Sequence, residues 1–159
     1  MLRGEYDQSI AELQQAIDIN PSYAHAYYNL GWTLALVGKA EEAIVNLERA
    51  NRLSPHDPLL FAFWGVRAFA LQQLERYDEA LTWIEKASRQ PNAHENLFAA
   101  LAYSLVLCDR IEPAREVVRE LLRKTPTYRI QIYAQAFPFQ NLKFKETIIE
   151  AMEKAGLPA

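Results

Sequence analysis

A chain of 159 residues that is 50% hydrophobic, with 5 glycines and a formal net charge of −3, has the apolar material for a continuous core and too few glycines for a turn-rich all-β fold. The near-neutral charge balance carries no basic stripe of the kind phosphate binding requires, which excludes nucleic acid as a partner. The one cysteine, Cys108, cannot form an intramolecular disulfide; it follows the apolar run Tyr103-Ser104-Leu105-Val106-Leu107 and reads as a small core residue in a reducing compartment.

Taken in chain order, residues 4–21 (Gly4-Glu5-Tyr6-Asp7 through Ile19-Asn20) read as one helix, the second half of a helical pair whose first half is not in this sequence. A fragment of a longer protein, or a helix supplied by another molecule, is expected from that. Residues 24–57 read as a complete pair. Tyr27, Leu30, Leu34 and Val37 fall at spacings of three and four, Gly38 breaks the helix, and Ala43, Ile44, Leu47, Ala50 and Leu53 make a second stripe ending at Ser54-Pro55. Gly31 and Ala43 are small enough to let the two helices cross closely.

Residues 58–94 repeat the plan, with helices expected over 58–74 and 77–89, Asp57 as the cap and Pro58 in the first turn. Residues 95–128 form the next pair, with Ala102 and Ala114 at the crossing and Pro113 tolerated in a first helical turn. Residues 129–159 are expected to close the array. A short helix over 127–136 is followed by the break Phe137-Pro138-Phe139-Gln140-Asn141. A last helix over 142–155 ends at Gly156 and docks Leu142, Ile148, Ile149 and Met152 on its predecessors.

The pairs keep register. Ser9, Ala43, Ala80 and Ala114 are spaced by 34, 37 and 34 residues, and Ala16, Ala50, Ala87 and Leu121 repeat those intervals. Pro21 and Pro55 are 34 apart, and three extra residues fall around His56 to Leu60. Such a period means stacked units that bury their apolar faces on one another, so the expected fold is an all-α solenoid forming a single array over 1–159.

Tyr27, Leu30, Gly31, Leu34, Ala43, Leu47, Ala50 and Pro55 together resemble the tetratricopeptide repeat, a helix-turn-helix unit of this length, and the likeness extends over residues 4–128. Gly4-Glu5-Tyr6-Asp7 and Glu75-Arg76-Tyr77-Asp78-Glu79-Ala80 resemble the turn into the second helix of such units. The phrase Arg52-Leu53-Ser54-Pro55-His56-Asp57-Pro58, with Phe137-Pro138-Phe139-Gln140-Asn141 and Lys154-Ala155-Gly156-Leu157-Pro158, is similar to the C-terminal arrays of bacterial adenylate/guanylate cyclase-like signalling proteins. In those proteins the array follows a class III cyclase domain or a winged-helix DNA-binding domain. The resemblance implies a TPR-type right-handed superhelix serving as a non-catalytic arm that binds a protein partner.

First helices of stacked pairs line the concave side, where a partner peptide or helix docks. Residues off the intra-pair stripe should face that groove: His25, Tyr28, Asn29 and Trp32, then Phe69, Gln72 and Gln73, then Asn96 and Tyr103, with Tyr133 extending the row. Trp32, Phe69 and Tyr103 hold equivalent places and would form an aromatic strip, or else pack singly as core between units. Of the Lys/Arg/Asn clamp by which some such arrays hold a C-terminal carboxylate, only Asn29 is present, which disfavours chaperone C-termini. Arg67 stands where an apolar residue is usual, to snorkel, to pair with an acid or to meet a ligand.

The alternative is self-association into a homodimer through Ile10, Leu13 and Ile17, which a missing first helix would leave exposed. An enzyme is the least favoured reading. His25, His56 and His94 have no partners at metal-ligand spacing, Ser104 and Cys108 have no base nearby, and no glycine-rich phosphate loop is present. Glu41-Glu42 and Asp78-Glu79 begin helices, where they complement the macrodipole. No cofactor and no metal are expected. No apolar stretch has the roughly 18 residues of a membrane span, and Met1-Leu2-Arg3-Gly4-Glu5 lacks the apolar run of a signal peptide, so a cytoplasmic location is expected.

Overall fold

The break residues divide the chain into helices. A computed structural model describes residues 2–159, and side chains from Gly4 onward; Met1, and the side chains of Leu2 and Arg3 in the N-terminal stretch weighed above, lie outside it. Among the described residues every regular element is helical: α1 (Leu2–Ile19), α2 (Ala24–Leu36), α3 (Ala40–Leu53), α4 (Leu60–Gln73), α5 (Tyr77–Ser88), α6 (Glu95–Leu107), α7 (Ile111–Lys124), α8 (Ile130–Ala136) and α9 (Leu142–Ala155). α2/α3, α4/α5 and α6/α7 are antiparallel pairs stacked in order, and α1 packs on α2 as the second helix of a pair does. The fold is an all-α solenoid.

Each pair turns on the same device. After α2, Gly38 at φ 84° donates to Ala35 O (3.3 Å) while Lys39 donates to Leu34 O (2.9 Å). This Schellman closure satisfies carbonyls the helix end leaves free. Glu75 and Asp109, both at φ 58°, repeat it after α4 and α6. A non-glycine residue in that left-handed region costs about 1–2 kcal/mol. Asp109→Gly is therefore expected to stabilise the chain by about 1 kcal/mol after the extra freedom glycine adds to the unfolded chain, seen as a raised Tm in thermal unfolding. Gly4 holds the register place of Gly38 but lies inside α1, so the expected turn at Gly4-Glu5-Tyr6-Asp7 is helix instead.

The small residues set the crossings. A Cβ on Gly31 would stand 2.7 Å from Leu47 Cγ and 3.2 Å from the Ala43 carbonyl oxygen, so α2 and α3 are as close as glycine permits. Ala43, Ala80 and Ala114 are fully buried, as are Ala68 and Ala102 across from the latter two.

The three extra residues lengthen mainly the α3–α4 turn, and they are pinned. Asp57 Oδ2 accepts from His25 Nε2 and Ser54 Oγ, both at 2.9 Å, and Oδ1 accepts from the Leu59 amide at 2.9 Å. Asp57 is thus spent on the turn, and α4 starts at Leu60, not beside Pro58 as the sequence suggested. Burial pushes the Asp57 carboxyl up, but the Leu59, His25 and Ser54 hydrogen bonds outweigh it and hold the group below its ordinary value of 3.8. A depressed carboxylate contributes stability above its unfolded pKa and loses it as pH falls through the folded one. The stability gap between the natural chain and Asp57→Asn should hold steady down to about pH 5 and close below 3.8, as read by denaturant titrations across that range.

The chain end doubles back. Asn141 caps α9 by accepting the Phe144 amide at 3.1 Å, and Gly156 ends it at φ 95°. α9 begins beside the end of α4 (Lys143 Nζ to Glu75, 3.3 Å) and returns to the start of α8, where the Ile130 amide donates to Pro158 O at 2.9 Å. Phe144, Ile148, Ala151, Met152 and Ala155 are its buried face, with Ile149 half-buried. Leu142, expected to dock, is 70% exposed because it lies off that three-and-four spacing.

Candidate functional site

The concave side is lined by α2, α4 and α6, and the chain's own C-terminal segment crosses it. Phe137 sits among three rings, with centroids 5.7 Å from Trp32, 5.3 Å from Phe69 and 4.6 Å from Tyr133. Phe139 packs 5.6 Å from Phe69 and 5.0 Å from Phe144. The Gln140 amide donates to Leu36 O at 2.8 Å, and Gln73 Nε2 to Ala35 O at 2.9 Å, so α2's last carbonyls tie down both α4 and the crossing strap, residues 137–141. Sequence reading takes this segment as a mere break. Two aromatic rings around one proline, more apolar than a turn needs, are the signal that marks it as packed.

The strap changes what the groove offers. Phe69 (3% exposed), Gln72 (2%), Tyr103 and Tyr133 (both 0%), expected to face a partner, lie in the core: Phe69 and Tyr133 against Phe137 of the strap, and Tyr103 against Tyr133, with α9 packed on α6. Tyr103 donates to Gln72 Oε1 at 3.1 Å and shares a 3.0 Å hydrogen bond with the Tyr133 hydroxyl. Gln72 Nε2 donates to Ser104 Oγ at 2.6 Å. Burial raises both tyrosine pKa values well above the ordinary 10.0, so the hydroxyls stay neutral.

The other groove candidates keep some access. Asn29 is exposed; His25, Tyr28, Trp32, Gln73 and Asn96 are half-buried. His25 is engaged with Asp57, and Asn96 accepts the Tyr128 hydroxyl at 2.7 Å. Hollows on this side include a pair. One of about 390 Å³ lies between α1 and α2 over Leu13, Asn29 and Trp32, and one of about 120 Å³ is bounded by α2, α4, α6 and Phe137.

Arg67 is absorbed elsewhere. Its Nη2 meets Glu48 at 2.7 Å and its guanidinium lies 4.1 Å from the Trp83 ring. Cys108 is half-buried, and burial, with the Asp78 carboxylate second, pushes its thiol up to about 11. Among the described residues no three of His, Cys, Asp and Glu are grouped to hold a metal ion, and no helix is long and apolar enough to cross a membrane.

The expected self-association stripe is split. Ile17 is 7% exposed and Ile10 half-buried, because their register equivalents in α3, Asn51 and Ile44, face the next first helix; Asn51 accepts the Trp64 indole N–H at 3.1 Å. Tyr6, Ser9, Leu13 and Ala16 form a face that is only partly covered, with Leu13 half-buried like Ile10. Their equivalents Ala40, Ala43, Leu47 and Ala50 are almost wholly covered by α2.

Two family models match this register: residues 1–38 match "TPR repeat" and residues 24–57 match "Tetratricopeptide repeat". Residues 1–57 are therefore similar to tetratricopeptide repeats. Anaphase-promoting complex subunit 3 of Schizosaccharomyces pombe (strain 972 / ATCC 24843) is 25% identical over 85 residues, which are 54% of this chain and 12% of that protein. The chain therefore spans about an eighth of that relative's length. Among solved structures, MamA superposes with a TM-score of 0.70 at 14% identity over 97% of this chain and 88% of that one. YrrB, described as a TPR protein with an unusual peptide-binding site, gives 0.66 at 18% identity over 96% and 77%. At these identities the likeness is one of fold, and the tetratricopeptide solenoid is that fold.

Proposed function

We propose that this chain is a protein-interaction module whose concave groove, around Tyr28, Asn29 and Trp32, takes a peptide or helix from a partner. The observation that carries the reading is a half-buried aromatic surface left open beside an exposed asparagine, in a helical-repeat scaffold that presents it on rigid elements. YrrB's peptide-binding site, on the same fold, supports it. The module serves as a cytoplasmic regulatory or scaffolding arm of a larger bacterial signalling protein, in keeping with its likeness to arrays that follow class III cyclase domains; a cyclase domain encoded upstream of Met1 would be the parent expected.

A photo-crosslinking residue at Asn29 should trap a partner in cells, while one at Arg119, on the charged outer face of α7, should not. Equal trapping at both positions overturns the groove. Trp32→Ala should weaken binding by about tenfold or more, as the loss of an aromatic anchor does, with the helical circular dichroism retained. A collapse of the helix signal would make Trp32 a core residue instead.

The partly covered face Tyr6, Ser9, Leu13 and Ala16 favours a second reading, self-association through α1. Light scattering over a concentration series tests it, and a constant monomer mass removes it.

A further inference from the structure

We propose that the cavity beside Phe137 seats one aromatic side chain of an extended partner peptide of the same Phe-Pro-Phe kind as the chain's own strap. The inference rests on the groove reading above and names the partner chemistry it selects. The size decides first. About 120 Å³ is room for about four waters, hence one side chain, and far below the roughly 300 Å³ at which small-molecule sites begin.

The floor decides next. Gly65 occupies the register place of Tyr28 and Ala99, 37 residues after the first and 34 before the second, and its missing side chain makes the notch. A Cβ there would meet only the tip of Leu97, 3.1 Å away. The walls are aromatic: Trp32, Phe61, Phe69 and Phe137 itself. The cavity is therefore continuous with the interface the strap already makes, in which Phe137 stands edge-on to Trp32 at 80° and to Phe69 at 67°. That is the geometry by which rings attract one another. No carboxylate, lysine or arginine lines it, so a charged anchor would be desolvated without compensation. His94, edge-on to Phe61 at 89°, and Asn96 supply the polar rim.

The test is fluorescence anisotropy of a labelled peptide with the sequence of residues 134–142, titrated with the full chain. A control peptide has both phenylalanines replaced by alanine. The phenylalanine peptide should bind and the control should not. Gly65→Leu, which fills the notch from below, should weaken binding by about tenfold or more, the loss of one buried contact of roughly 1.4 kcal/mol, with the unfolding transition retained. If that variant fails to fold, Phe61→Ala at the rim should give the same loss. No binding, equal binding of both peptides, or full binding by Gly65→Leu (the peptide merely displacing the strap) overturns the proposal. Crosslinking at Asn29 that survives in Gly65→Leu would leave the groove standing and remove only this seat.

Discussion

Replacing Phe139 by alanine should cost about 3–5 kcal/mol, the range for emptying a buried aromatic site. The ring is 3% exposed and packed between Phe69 and Phe144, the latter on α9. In a chain of this length each kcal/mol moves the melting temperature by roughly 2–4 °C, so a fall of roughly 10 °C is expected in thermal unfolding. The change should also free the strap. Gln140's amide, bonded to Leu36 O in the native chain, should lose its protection in hydrogen exchange. A loss below about 1 kcal/mol, typical of a surface site, would mean that Phe139 is not buried.

Tyr103→Phe should be almost as severe although it removes a single oxygen. That oxygen is bonded to Gln72 Oε1 and to the Tyr133 hydroxyl, both inside the core, and its loss orphans two polar groups. Each unpaired buried group costs about 1–3 kcal/mol, so the two together cost about 2–6 kcal/mol. The cause is testable because it is not additive. Gln72→Leu in the same chain removes one of the orphans, so the double variant should be less destabilised than the two single losses predict. Strict additivity in denaturant unfolding would show that the three side chains do not act as one network.

What was legible in the sequence follows from which signals are local. Gly38, Gly156 and the small residues at 31, 43, 80 and 114 act through their own backbone or size, and the helices around them form where the pattern places them. Glu75 and Asp109 serve the same turn as Gly38 without glycine, because position in the repeat forces the left-handed backbone on whatever residue stands there. The groove was half legible. Tyr28, Asn29 and Trp32 stay accessible, but Phe69, Gln72, Tyr103 and Tyr133 do not, since whether a concave-face ring meets solvent depends on what crosses it. The crossing segment lies far along the chain, and its rings read locally only as a break. Ile17 fails for a related reason: a helix in a stack has two covered faces, and only the one facing its own pair was missing a partner.

The most direct test is a nuclear Overhauser measurement between the Trp32 indole and the Phe137 ring, whose centroids lie 5.7 Å apart across 105 residues of sequence. Cross-peaks between them, together with Phe137 to Phe69, are expected if paired helices stack in register and the chain's end lies across their hollow side. Phe137 protons that report only on their sequence neighbours would contradict the account.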